Sequence, residues 1–153
     1  MKPPFAFIVP GKLIDGDLEL VLVETVPANP DKGYLPSYNF EMRRPGRSSA
    51  MGALFLRIGS TVQARYPGHI GYEVTERYRG HRLAARSSRL VLPLARAHGL
   101  KTVWLTVDPA NIPSRKTCEI LGAKYVETVR IPKDHDMYAR GARYRRRYRL
   151  STK

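Results

Sequence analysis

The chain has 153 residues, 42% apolar and 26% charged, a globular balance that argues against a disordered tail protein. Its length fits one domain able to bury a core without staples. Lysine and arginine number 27 against 13 acidic residues, a formal charge of +14, and such a field draws polyanions: nucleic acid, acidic membranes or phosphorylated cofactors.

In chain order, the apolar patch 5–9 is cut by Pro10. It is too short for a signal peptide, and no run of about 18 apolar residues follows that would span a membrane. A soluble cytoplasmic protein is the expectation. The run LELVLVET at 18–25 reads as a strand. Three prolines, a glycine and Asn29 make 27–36 a loop. Strands follow at 38–43, 53–58 and 69–75, with a turn at 46–49. From Leu83, apolar residues at 83, 90, 91, 94 and 97 recur at helical spacing, and His98-Gly99 supplies a stop. Pro93 lies inside this helix and predicts a kink or an early end, because it removes a backbone donor. TVWLTV at 102–107 is a strand, 108–111 a turn, and 112–121 a helix with Pro113 near its start and Gly122 as its cap. A strand at 123–131, a loop at 132–141 and a very basic edge strand at 145–150 complete the chain. The order predicts a mixed α/β sheet in a single domain, with right-handed crossovers at 69–107 and 102–131. Cys118 is the one cysteine. It permits neither an internal disulfide nor a structural zinc site, and it suits a reducing compartment. No metal is expected; the run Asp134-His135-Asp136 is read as a polar loop.

Ligands of such sheets sit beyond strand ends and against helix N-termini, which directs attention to 74–86 and 107–118. The first amides of a helix lack internal partners and carry partial positive charge, so they form a ready site for phosphate. Arg77, Arg79, Arg82 and Arg86 surround the first of these turns, and Ala84 and Ala85 permit close approach to the backbone. Neither a P-loop nor a Gly-x-Gly-x-x-Gly turn is present.

Val74 is followed by Arg79-Gly80-His81-Arg82-Leu83-Ala84, and further on by Asn111-Ile-Pro-Ser114 with Cys118 and Gly122-Ala123. These segments resemble the GNAT superfamily of acyl-CoA-dependent N-acyltransferases, whose turn reads Arg/Gln-x-x-Gly-x-Gly/Ala and whose later motif begins Asn-x-x-Ala/Ser. Arg82 stands where the family has its central glycine. A register starting at Arg77 puts Gly80 there but Arg82 sixth; the Arg79 register keeps the usual distance from Val74. The likeness extends over 52–131 and points to a bacterial subgroup.

The resemblance implies a mixed, mostly antiparallel sheet with a splayed parallel strand pair, 69–75 and 102–107, flanked by helices. It implies acetyl-CoA as co-substrate, without a metal, and direct transfer of its acetyl group to a primary amine. Residues near Val74 would hold the pantetheine arm and the thioester carbonyl. The pyrophosphate would sit on 79–85, that is Arg79, Gly80, His81, Arg82, Leu83, Ala84 and Ala85. Asn111, with Ser114 in the same motif, would bond the pantetheine arm or the neighbouring strand. An amine nucleophile must first lose its proton, and the candidate bases are His69 and Glu73, with Tyr72 orienting a water. Alternation puts His69 and Glu73 on one face and Tyr72 on the other. Cys118 occupies the position where many members carry a tyrosine as general acid.

The acceptor, a small molecule or a protein amine, is not specified, and neither is the oligomeric state, with which a homodimer is compatible. Arg57 is read as a solvated or paired arginine, with contact to an acidic acceptor group as the other reading. Tyr34, Tyr38, Tyr138 and Tyr144 are candidates to line an acceptor pocket. The interleaved arginines and tyrosines of 140–149 leave nucleic-acid binding as the competing, less favoured class, and a fold that binds CoA without catalysis as a third.

Overall fold

The computed structural model describes residues 5–153. Strands β1 (Leu13–Asp15), β2 (Leu18–Val26), β3 (Ser37–Arg43), β4 (Ala50–Arg57) and β5 (Ile70–Val74) form an antiparallel sheet in sequential order. Helix α1 (Leu83–Ala97) leads to β6 (Thr102–Val107), α2 (Ile112–Leu121), β7 (Lys124–Arg130), the short α3 (Asp136–Ala139) and β8 (Tyr144–Ser151). The last three strands form a second antiparallel sheet in the order β6-β8-β7. The basic strand is therefore the middle of its sheet and not an edge. It takes that place because β6 and β7, joined by a helix, run the same way and cannot pair through a short turn.

Alternation builds the core. Tyr38, Phe40 and Met42 of β3 and Leu54 and Leu56 of β4 are buried on one face, as are Val103, Leu105 and Val107 of β6. Helix α1 lies on that face. Its buried side is mostly small (Ala84, Ala85, Ser87, Ser88, Ala95), with Leu83, Val91 and Leu94 filling the gaps. Small residues let helix and sheet approach closely.

Three local expectations change. Helix α1 runs unbroken through Pro93, because Pro93 and Arg89 lie on its exposed side, where water satisfies the carbonyl that proline strands. The segment 132–141 contains α3, whose start is capped by His135 Nδ1 accepting the Met137 N–H at 3.0 Å. Strand β1 is an addition, folded back on β2 through Gly16 at φ 57°. Helix α2 has the expected bounds, since Asn111 caps one end and Gly122, at φ 78°, the other.

Candidate active site

Sheets β1–β5 and β6–β8 meet at one point. The His69 N–H donates to the Trp104 carbonyl at 2.7 Å, and the Trp104 N–H donates to His69 Nδ1 at 2.9 Å. An imidazole thus replaces the next rung of the ladder. Beyond it no pairing joins β5 to β6 among the described residues, and the sheet forks. A cavity of about 710 Å³ occupies the fork, lined by Gly71 and Tyr72 on one side, Thr106 and Val107 on the other, and Asn111 and Ser114 of α2. The crossover through α1 makes β5 and β6 the parallel pair.

The turn beyond β5 is shaped by backbone. Gly80 has φ 93° and Arg82 φ 58°, the only non-glycine residue with positive φ among those described. Arg82 is the N-cap of α1, but its side chain makes no capping bond, and the first turn holds no acidic residue. The amides at that end of α1 are left for an external anion. Leu83, Ala84 and Ala85 bury their side chains in the core, so the backbone is what they offer a ligand. Arg79 and Arg82 are exposed, as are Gly80 and His81. Arg79 Nε also donates to the Val74 carbonyl at 3.1 Å, tying the strand end to the turn. Arg77 and Arg44 flank the Tyr78 ring, at 5.1 and 5.8 Å from its centroid. Beside them a basic shelf is lined by Arg44, Arg47, Ser49, Met51 and Tyr78. Arg86 does not join this cluster. It bonds Asp15 Oδ2 at 2.8 Å and Asp17 Oδ1 at 2.6 Å, and its hydrogen bond, aided by its charge, holds the Asp17 carboxyl below the usual range. The turn suits a diphosphate through uncapped amides, a first helical turn without acidic residues, and Arg77, Arg79 and Arg82, which form no ion pair among the described residues.

The candidate acid–base residues have distinct environments. His69 is 1% exposed and uses both ring nitrogens, Nδ1 toward Trp104 and Nε2 toward the Gly59 carbonyl at 2.8 Å. Burial lowers its pKa, opposed by the Gly59 bond and reinforced by the nearby Arg57 charge. No lone pair is left for an ammonium, so His69 pins the fork instead of acting as its base. Glu73 is exposed on the same face of β5 as Gly71 and belongs to no ion pair among the described residues. Tyr72 points the other way, toward α2. Its hydroxyl is buried beside Ser114 and Thr117, in a geometry that makes no proper hydrogen bond. Burial is the main force that pushes this phenol up to about 12. Cys118 is fully buried in the core, and burial likewise pushes its thiol up to about 12. Asn111 Oδ1 accepts the Ser114 N–H at 3.2 Å. That oxygen caps α2, and the residue also lines the cavity.

Three arginines line the same cavity, Arg57, Arg140 and Arg145; Arg140 is paired with Asp136. Arg57 is half-buried and belongs to no ion pair among the described residues. Its Nη1 makes two long bonds, to the Pro67 and Gly68 carbonyls at 3.3 and 3.4 Å, and burial lowers its pKa. A Cβ on Gly71 would stand 3.2 Å from Arg57 Nη2, so glycine there makes room for the guanidinium. Arg145 has an enclosed Nε without a partner; burial lowers its pKa, partly offset by Asp108. Arg145 is hidden in the sequence within a basic strand, while contact of Arg57 with an acidic acceptor group is the second of the two readings the sequence allows. Of the candidate tyrosines only Tyr34 lines the cavity. Tyr38 is in the core, Tyr138 stacks on Arg143 and Tyr144 on Arg130. Arg146 likewise lies over Tyr125 and Arg147 over Trp104, so the arginines of the basic strand occupy the aromatics that would stack nucleobases.

Among solved structures, the chain superposes on a probable acetyltransferase of the GNAT family from Chromobacterium violaceum with a TM-score of 0.67 at 12% identity, covering 99% of this chain and 91% of that one. It also matches the ribosomal-protein-S5-alanine acetyltransferase of Vibrio fischeri (TM-score 0.59, 17% identity, 76% of this chain and 62% of that one). The microcin C7 self-immunity acetyltransferase, solved with acetyl-CoA and AMP, gives 0.57 at 13% identity over 75% of this chain. The match spans 61% of that immunity protein, under two-thirds of its length. At these identities the likeness is one of fold. No curated protein matches. The family model for the acetyltransferase (GNAT) domain matches residues 22–124, from the second strand through the fork and the phosphate-type turn to the end of α2, and the chain belongs to that family.

Proposed function

We propose that this protein transfers an acetyl group from acetyl-CoA to a primary amine by direct attack. The observation that carries the reading is the fork between β5 and β6, opening beside the uncapped N-terminus of α1. When bound, acetyl-CoA supplies an activated thioester. The amides of 82–85, with Arg79 and Arg82, hold the diphosphate, and the backbone near Val74 receives the pantetheine arm. The amine enters from the face that carries Gly71 and Glu73. Glu73, being exposed, takes the amine proton through water. The new N–C bond forms as the C–S bond breaks, and the departing thiolate needs a proton. Cys118 is a poor donor for it, since its side chain is sealed in the core and does not line the cavity, whereas Tyr72 does. The Tyr72 hydroxyl, which lacks a hydrogen-bond partner, is the donor in this reading. A cytoplasmic setting, suited to one buried thiol, belongs to the same proposal.

The test is calorimetry or thermal shift with acetyl-CoA, followed by an amine panel read by free-thiol release. Binding is expected, weakened by substituting Arg79 and Arg82 together. No response at millimolar acetyl-CoA overturns the reading, and a salt-steep RNA shift in its place would favour the nucleic-acid class.

A further inference from the structure

We infer that the acceptor of this reaction carries a carboxylate as well as its amine, and that Arg57 and Arg145 hold that carboxylate in the fork cavity. The inference rests on the acyltransfer reading above and names its second substrate.

A guanidinium stays protonated at any working pH, so enclosing one without an anion is costly. Here two line one cavity, Arg57 from β4 and Arg145 from β8. Among the described residues neither has a carboxylate within ion-pair distance, and the acids that do form ion pairs hold other arginines. Glu127 serves Arg147 and Arg65, Asp136 serves Arg140, and Asp15 and Asp17 serve Arg86. Arg57 Nε and Nη2 and Arg145 Nε have no acceptor among those residues. Planar forks of donors match a carboxylate in two-pronged fashion.

The same cavity also carries Asp108 and Asp134. Asp108 uses one oxygen on the Ala110 N–H at 2.8 Å. These acids, with Asp136, would repel a dianion such as a phosphate monoester, and they suit a cationic amine. A cavity with bare guanidiniums and separate carboxylates thus complements a small amino acid more closely than a simple polyamine. The Arg57 site is also built: Gly71 leaves no side chain to compete with the guanidinium for space.

The experiment measures free-thiol release from acetyl-CoA with the standard L-amino acids and, in parallel, their C-terminal amides. Wild type, Arg57→Gln, Arg57→Lys and Arg145→Gln are compared, with an acetyl-CoA thermal shift recorded for each. The expected result is a kcat/KM preference of about 10- to 100-fold for an acid over its amide, the usual reach of a charged hydrogen bond. The preference should fall toward parity in either Gln variant and be partly kept in Arg57→Lys, while the acetyl-CoA shift stays unchanged. If Arg57→Gln does not fold, Arg145→Gln alone decides. Equal use of acids and amides overturns the proposal. So does a preference that survives in the folded Gln variants, or a wild type that binds acetyl-CoA yet turns over no amino acid. A wild type without any acetyl-CoA shift is a different failure: it removes the acyltransfer reading itself, and the acceptor assignment with it.

Discussion

His69 and Trp104 are joined by two hydrogen bonds, one from backbone to backbone and one from backbone to ring. The second closes the last rung before β5 and β6 part, so one side chain sets where the fork begins. His69→Ala would strand the Trp104 N–H and the Gly59 carbonyl and leave a void. Denaturant unfolding should show a loss of about 2–4 kcal/mol from these two effects together. His69→Asn, which can keep one of the bonds, should lose less.

The same histidine makes stability depend on pH. Burial depresses the pKa of His69, and also that of His98, whose Nε2 is hydrogen-bonded with the Tyr38 hydroxyl at 2.6 Å. An unfolded imidazole protonates near about 6.5, while the folded ones resist. Below that pH the unfolded state binds more protons, so stability is full above it and is lost as pH falls toward the folded values. Melting temperature should drop between pH 7 and pH 5 on the order of the two-histidine linkage. A His69→Asn, His98→Asn double variant should flatten the profile.

Arg82 stands in a left-handed conformation at φ 58°, where a side chain costs about 1–2 kcal/mol relative to glycine. Arg82→Gly relieves that strain and loosens the unfolded chain, for a net gain of about 0.5–1 kcal/mol. Acetyl-CoA affinity should fall despite the gain, and more at low salt, because a phosphate partner is lost. Thermal melts and calorimetry at two ionic strengths read both effects.

Tyr72→Phe removes a buried hydroxyl that has no partner. Such a group costs free energy to bury, so folding stability should hold or rise. Turnover should fall by about 10² or more, the usual yield of a positioned proton donor. Falling activity together with a lower melting temperature would argue for packing, and unchanged activity would remove Tyr72 from the chemistry.

What the sequence discloses is what short-range chemistry decides. Helix α2 is legible to the residue because Asn111, Pro113 and Gly122 are its own boundary signals. The turn 79–84 is legible because Gly80 and a helix start are adjacent in the chain. Long-range pairings are not. Nothing near residue 69 says that its ring will meet residue 104, so His69 reads as a free base. Strand order is equally silent: a run of arginines resembles an exposed edge until β6 and β7 are seen to close on either side of it. The state of Arg57 depends on which acids come near, and those acids are more distant in sequence than any local pattern reaches.

The placing of β8 between β6 and β7 also constrains biosynthesis. Those two strands have no bonds to each other, and Thr152 ties back to the carbonyls of Leu100 and Lys101. Until residues 144–152 have left the ribosome, one wall of the fork has nothing to hydrogen-bond against. The five-stranded half can form during synthesis, since its neighbours in space are neighbours in sequence. A nascent chain would then wait with the turn at 79–85 formed and half a cleft, until β8 slides between its two neighbours and completes the second wall.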